Sequence, residues 1–330
     1  MHYANNKFPF VTIIIPAYNE EKYIAKCLEK WVNQDYPKDS YEILVFDGMS
    51  TDKTAKIVKE FERKYPELVK YRKNPKRRQV YAFNMGIQEA RGDFFVIFSA
   101  HAYPRRDFLK KSVETFFKVK EKEPKLIAVG GIHDNLYENG LAKFVGLIYQ
   151  SPLSGSSPYR YSTKPDFVRT IAYAMYEKET IIKHVGLFDK DMVIGDDFEF
   201  NLRINKHGYK LFLNPEIKSY YYTRSTWSGF LKQSFNYGAA KGVIIRKGYF
   251  SPIWLSPLGF IALEILIPLW GTLIWLFAFY WLLLVGESFR LWKRTKNTEA
   301  FFLPPMMWFF HNLISIGFLA GLLLGSRSFR

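Results

Sequence analysis

Residues 10–52 read FVTIIIPAYNEEKYIAKCLEKWVNQDYPKDSYEILVFDGMSTD, and the fold is decided there. Residues 11–15 are a short apolar, β-branched run that Pro16 is expected to end as a strand. Asn19 reads as a helix N-cap, with Glu20 and Glu21 in the first turn, where carboxylates suit the dipole. Ile24, Cys27, Leu28 and Trp31 follow at the spacing of one apolar helix face. Residues 43–46 read as a second buried strand that stops at Asp47-Gly48. The pattern is a βαβ unit carrying two polar loops, PAYNE and DGMSTD, at the carboxyl ends of its strands. Ligands bind at that edge of a parallel sheet.

The same alternation continues outward. Ser50-Thr51-Asp52 offers a cap for a helix burying Ala55, Val58, Phe61 and Tyr65, with a third strand at residues 69–72. A basic loop, Asn74 to Arg78, precedes a helix over residues 79–91 that Gly92 closes. Residues 94–98 read as the most buried strand and run into Ser99-Ala100-His101-Ala102, after which Asp107 is placed to cap a helix. Residues 126–132 and 167–176 read as strands, 196–207 as a helix, and 210–213 as the last strand, closed by Asn214-Pro215. The amphipathic run of residues 140–149 and the loop SPLSGSSPYRYSTK admit two readings, a surface helix with its loop or a membrane-facing lid.

Composition narrows the class. The chain has 330 residues, a net charge of +16 and 18% aromatic residues, enough for one large α/β domain and a smaller part. Of the charges, 41 Lys/Arg against 28 Asp/Glu lie in the first 250 residues. A basic surface suits phosphorylated substrates or an anionic membrane. Nucleic acid is the poorer partner, because neither a zinc-finger spacing nor an aromatic RNA-binding motif is present. The one cysteine, Cys27, forms no intrachain disulfide and reads as a core residue. The first ten residues lack the apolar core of a secretory leader, so the polar domain is expected in the cytosol.

The C-terminal third is different. Residues 226–247 read as a helix lying on the membrane surface, and residues 252–286 carry one charge, Glu264. One helix of that length would reach about 50 Å, against a hydrocarbon core of about 30 Å, so a break near residues 268–271 makes a hairpin. Arg290, Lys293, Arg294 and Lys296 mark a cytosolic loop, and residues 303–324 form a third apolar stretch, spanning or re-entrant.

P-A-Y-N-E followed by D-G-x-S-T-D about thirty residues on resembles the nucleotide-sugar half of family 2 glycosyltransferases. The nearer likeness is to the membrane-anchored branch that includes succinoglycan-type glucosyltransferases. His311 and the run Gly317 to Gly321 resemble the C-terminal segment of that branch. The resemblance implies a GT-A fold: a Rossmann-like α/β domain whose mixed, mostly parallel sheet is flanked by helices, followed by interfacial and transmembrane helices. The expected division is a catalytic domain over 1–225, an interfacial segment over 226–250 and a membrane domain over 251–330, with the hairpin near 252–287.

It further implies a donor grip from Pro16, Tyr18, Glu20 and Asp47, with Arg77 and Arg78 beside a helix N-terminus for the diphosphate. Where the family places an aspartate pair for a metal, this chain has Ser99 and His101. Mg²⁺ or Mn²⁺ would then depend on His101 and diphosphate oxygens. Asp197 matches the family's general base and Asp196 stands for the glutamate before it; two adjacent carboxylates raise one another's proton affinity. Gln233 and Tyr237 fall where processive relatives carry Q-x-x-R-W, with Asn236 and Tyr237 replacing the arginine and tryptophan. The expected activity is inverting transfer from a UDP- or GDP-linked sugar to a polyprenyl phosphate or lipid-linked saccharide at the cell membrane. A processive polysaccharide synthase and a catalytically silent nucleotide-binding membrane protein are the alternatives.

Overall fold

The computed structural model describes residues 8–155 and 157–329. Residues 1–7, where most of the leader reading falls, and Ser156 of the basic loop lie outside the described residues. The chain divides into two compact units. The first comprises residues 1–134, 157–190 and 196–221; the second comprises 135–156, 191–195 and 222–330.

The first unit opens with β1 (Val11–Ala17), α1 (Ile24–Val32) and β2 (Tyr41–Asp47), then α2 (Thr54–Lys64), β3 (Val69–Lys73), α3 (Gln79–Glu89) and β4 (Phe94–Ile97). Strands β1 to β4 are parallel, and the register sets Ala17 beside Asp47 and Asp47 beside Lys73. Three loops therefore leave the sheet at one edge. Pro16 sits inside β1 rather than ending it. Asn19 is not a cap: its φ is +54°, and α1 begins five residues later at Ile24.

After β5 (Ala102–Pro104) and α4 (Phe108–Lys120), β6 (Leu126–Leu136) leads the chain into α5 (Gly140–Tyr149) of the second unit. Asp107 precedes α4 without capping it, its carboxylate being taken by Arg105 at 2.5 Å. The expected strand over 167–176 is two short ones, β7 (Asp166–Val168) and β8 (Met175–Glu177), separated by Tyr173 at φ +51°. One turn, α6 (Lys178–Thr180), and α7 (Asp196–Lys206) precede β9 (Lys210–Tyr222), far longer than the four residues expected. Pro215 does not end it, because β7 pairs with residues 211–213 and β5 with residues 219–221, leaving the proline between the two ladders. The sheet order is β3-β2-β1-β4-β8-β6-β9-β5, with β8 antiparallel to both neighbours. Alternate β1 residues feed separate cores, Ile13 and Ile15 with Trp31 and Phe98, Ile14 with Phe46 and Phe95.

The second unit is helical: α5, α8 (Trp227–Arg246), α9 (Ser256–Leu266), α10 (Ile274–Thr295) and α11 (Leu303–Leu324). Val145, Leu147 and Ile148 of α5 are buried with Phe230, Met307 and Phe310, so α5 is a core helix of this unit rather than a surface one. Helices α8 and α11 meet at glycines. A Cβ on Gly238 would lie 1.9 Å from the Ile314 carbonyl oxygen, and one on Gly317 would lie 2.1 Å from that of Phe235. Gly242 and Gly321 repeat the contact one turn on, which is small-xxx-small packing on both helices. Residues 271–295 and 298–324 are each long and apolar enough to cross a membrane. The break near 268–271 is present, but α9 has 11 residues and rises about 16 Å, short of a full crossing.

Candidate active site

The first two loops at the sheet edge are zipped together. Asn19 donates its N–H to Ser50 Oγ at 3.0 Å and accepts the Thr51 N–H on Oδ1 at 2.9 Å. The Glu20 N–H reaches Thr54 Oγ1 at 2.7 Å, and the Glu21 and Asp52 carboxylates each accept from the other's loop or its adjoining turn. Asn19, Met49 and Arg77 all hold positive φ, so each of the three loops spends backbone strain at this edge. Asp47 is 2% exposed and fully engaged: Oδ1 accepts the Ser50 N–H at 3.1 Å and Oδ2 the Tyr71 hydroxyl at 3.0 Å. Burial, with Asp47 adding to it, pushes the Tyr71 phenol up to about 12.

The third loop extends this grip. The Asn74 N–H donates to the Asp47 carbonyl at 2.7 Å, and Asn74 Nδ2 donates to the Arg78 carbonyl at 2.9 Å. Asn74 Oδ1 is buried with no hydrogen bond, an acceptor held beside Asp47. Next to Arg78, Gln79 Nε2 donates to both Asp196 oxygens, at 3.0 and 2.8 Å. A continuous path of bonds and chain thus joins Asp47 to Asp196.

Asp196 is 4% exposed, whereas Asp197 beside it is open to solvent. Burial first, and then the charge of Asp197, lift the Asp196 carboxyl to about 7. Asp197 is also raised by the protein packed around it, against which the Phe198 N–H at 2.8 Å and the Arg160 charge act. One proton is therefore shared by the pair, and it belongs on the more deeply buried Asp196. Glu199 pairs with Arg203 at 3.0 Å inside the unit and is structural.

Ser99 and His101 meet the first loop at Glu20. His101 Nδ1 is 2.9 Å from Glu20 Oε1, and Ser99 Oγ is 3.2 Å from the same ring. Among the described residues no group of three His, Cys, Asp or Glu side chains could hold a metal. Glu20, His101 and the Ser99 hydroxyl fit a divalent cation only where donor phosphates complete its shell. Cys27 is buried behind them with its Sγ 3.7 Å from the Ser99 carbonyl oxygen, and burial raises its thiol, as for an inert core residue.

Five side chains beyond the expected set complete this part of the unit. The Arg160 guanidinium carbon lies 5.5 Å from the Tyr159 ring centre and 5.3 Å from that of Tyr221, whose ring centre is 5.5 Å from that of His101. His133 packs between Tyr159 and Tyr173 at 4.9 and 4.3 Å. They come from β6, the basic loop, the β7–β8 turn and β9, so no local spacing announces them. Pro16, Tyr18, Glu20, Asp47, Arg77, Arg78, Ser99, His101, Asp196 and Asp197 all lie in the first unit. Gln233 and Tyr237 lie in the second, where the Tyr149 hydroxyl donates to Gln233 Oε1 at 2.8 Å and the Tyr149 and Tyr237 rings are 5.5 Å apart.

Comparison with known proteins gives the family and the fold. Residues 12–185 match Glycosyl transferase family 2, and residues 162–320 match Glycosyl transferase family group 2. The chain belongs to glycosyl transferase family 2. A curated relative from Methanococcus voltae is 49% identical over 97% of this chain and 99% of its own length. Its name is dolichyl N-acetyl-alpha-D-glucosaminyl phosphate 3-beta-D-2,3-diacetamido-2,3-dideoxy-beta-D-glucuronosyltransferase. Glycosyltransferase AglE of Haloferax volcanii is 25% identical over 75% of this chain and 80% of its own length. The mannosyltransferase PcManGT of Pyrobaculum calidifontis, solved with GDP-Man and Mn²⁺, superposes with a TM-score of 0.66 at 20% identity. It covers 96% of this chain and 88% of that one, so the family 2 glycosyltransferase described here has the GT-A fold.

Proposed function

We propose that the enzyme transfers one sugar, with inversion, from a nucleotide-linked donor to a lipid-linked saccharide at a membrane. The observation that carries this reading is the Gln79 bridge, which ties the Asp196–Asp197 pair to the loops around Asp47 within one unit. Asp47 and Asn74 take the nucleoside, and Arg77, Arg78 and the α3 N-terminus take the diphosphate. Pro16 and Tyr18 shape the first loop. Asp197 removes the proton of the acceptor hydroxyl, whose oxygen attacks the anomeric carbon from the face opposite the diphosphate. The carbon–oxygen bond to the diphosphate breaks, and the nucleoside diphosphate leaves with the bonding pair. Glu20 and His101, together with the donor phosphates, would hold Mg²⁺ or Mn²⁺, which would supply positive charge to the leaving diphosphate.

The acceptor class draws support from the Methanococcus voltae relative, named for a dolichyl-phosphate-linked sugar and matched over nearly the whole chain. A β-linkage in that name agrees with inversion at an α-linked donor. Helices α9 and α10 are read as a hairpin that enters the membrane and returns, α8 and α11, packed glycine on glycine, as interfacial, and the cations at residues 290–296 as facing the cytosol, as the first unit does. Gln233 and Tyr237 belong to the acceptor side. The test is transfer from labelled UDP- and GDP-sugars to a polyprenyl-phospho-N-acetylglucosamine, with and without Mn²⁺, followed by mass spectrometry of the lipid product. A product longer by one sugar is expected; donor hydrolysis alone, or a polymer, would refute the proposal.

A further inference from the structure

Lys241 lies near the C-terminal end of α8, partly buried, on the helix face that Gln233 and Tyr237 occupy two turns and one turn earlier. Its ammonium reaches the turn that follows α5, in the same unit: a Cβ on Gly155 would lie 3.0 Å from Lys241 Nζ. Gly155 holds φ +64°, so the backbone there is left-handed and bare, and the cation stands where a side chain would begin. Among the described residues Lys241 makes neither a hydrogen bond nor an ion pair. Burial lowers the proton affinity of its ammonium, and no acidic charge opposes the effect.

A lysine beside a short helical turn can serve to cap its carbonyls, but this turn closes without it. Ser151 Oγ accepts the Leu153 N–H at 3.2 Å, and Ser154 Oγ donates to the Ser151 carbonyl at 2.7 Å. The Gly155 N–H donates to the Pro152 carbonyl at 3.1 Å. His311 Nε2 donates to the Leu153 carbonyl at 2.9 Å, and the Tyr280 hydroxyl lies 2.9 Å from Nδ1 of the same ring. The turn is therefore fixed by its own bonds and by His311, while the three donors of Lys241 stay unused within the protein. A half-buried ammonium with no counter-charge is unfavourable until an anion reaches it. Helix α8 is read above as interfacial, which sets this cation at the depth of lipid phosphates.

We propose that Lys241 and the Gly155 turn seat the phosphate that joins the acceptor's sugar to its lipid. Gly155 leaves the anion room beside the ammonium, and His311 with Tyr280 are positioning residues that hold the turn. The inference rests on the acceptor reading above and adds the place where the lipid phosphate is held.

The test is a binding measurement on the full-length enzyme in an uncharged detergent. Labelled polyprenyl-phospho-N-acetylglucosamine is displaced by farnesyl phosphate, farnesol, phosphatidylglycerol or inorganic phosphate. In wild type, farnesyl phosphate is expected to compete about 30-fold better than farnesol. Lys241→Gln should bring the two within about threefold, and Lys241→Arg should keep most of the difference. Lys232→Gln, which alters an exposed lysine of the same helix, should match wild type. Equal competition in wild type, or a Lys241→Gln enzyme that keeps the difference, overturns the proposal. Phosphatidylglycerol or inorganic phosphate competing as well as farnesyl phosphate also overturns it, since the site would then be a general head-group or free-anion contact. The melting temperature of Lys241→Gln should be unchanged or raised, whereas a fall of roughly five degrees would mark a structural lysine and overturn it. Binding is read without turnover, so absence of transfer would count against the functional reading alone.

Discussion

Asp47 and Asp197 both sit at turns of the first unit, yet the protein surrounds their carboxylates in opposite ways. Asp47 is enclosed and each of its oxygens accepts a hydrogen bond from the protein. Asp197 is open to solvent, accepts one N–H from Phe198, and is nevertheless raised by the protein around it. A carboxylate whose two oxygens each accept from a fixed donor is a rigid acceptor. One with a free oxygen in a dense, partly dry setting can take a proton and give it back. The difference separates a group that holds from a group that reacts.

The sharpest break of this comparison is Asp197→Asn. General-base loss is expected to cost about 10³-fold in kcat, with donor affinity within twofold of wild type by calorimetry. A loss below tenfold would remove Asp197 from the chemistry. Asp47→Ala should show the reverse split, raising the donor KM by roughly 10–100-fold with a small change in kcat, since a charged hydrogen-bonding partner is lost on binding. If kcat falls and KM does not, Asp47 is not a holding residue.

A finer variant tests whether rigidity is what matters at Asp47. Tyr71→Phe removes the hydroxyl on Oδ2 and leaves the Ser50 N–H in place. Donor affinity should drop about fivefold, the net worth of about one ordinary hydrogen bond. An unchanged affinity would mean that the loop backbone alone orders the carboxylate.

Much of the holding side is legible in the sequence, and much of what surrounds it is not. Both polar turns lie in one 43-residue window between strands whose apolar runs are unmistakable, so motif and periodicity point to the same edge. Asn19 misleads because a cap and a loop-to-loop clasp use the same side-chain oxygen; only the partner, Thr51 rather than the next turn, distinguishes them. Pro215 misleads because its cost depends on which ladder faces it, and on one side of β9 it falls in the gap between the β7 and β5 pairings. His133, Arg160, Tyr173 and Tyr221 are separated by as many as 88 positions and are gathered only by the sheet order. The glycines of α8 and α11 carry a likeness to the family, but their reason is steric, since backbone oxygens occupy the space of a side chain.

The smallest change in rate is expected at Asp196, and it probes the same contrast through pH. In the native state its carboxyl is lifted from 3.8 to about 7, by burial first and by the charge of Asp197 second. The folded chain therefore holds this proton more tightly than the unfolded chain does. The stability it contributes is fully present below pH 3.8 and is lost as pH rises through about 7. Asp196→Asn cannot ionise, so it should escape that loss while still accepting from Gln79 through its amide oxygen. Measured between pH 5 and 8, the melting temperature of the variant should gain on wild type by a few degrees as pH rises, while kcat stays within about fivefold. Equal pH dependence in the two proteins would mean that Asp196 is ionised throughout. The proton of the pair would then reside on Asp197, and the residue assigned to react would be the protonated one.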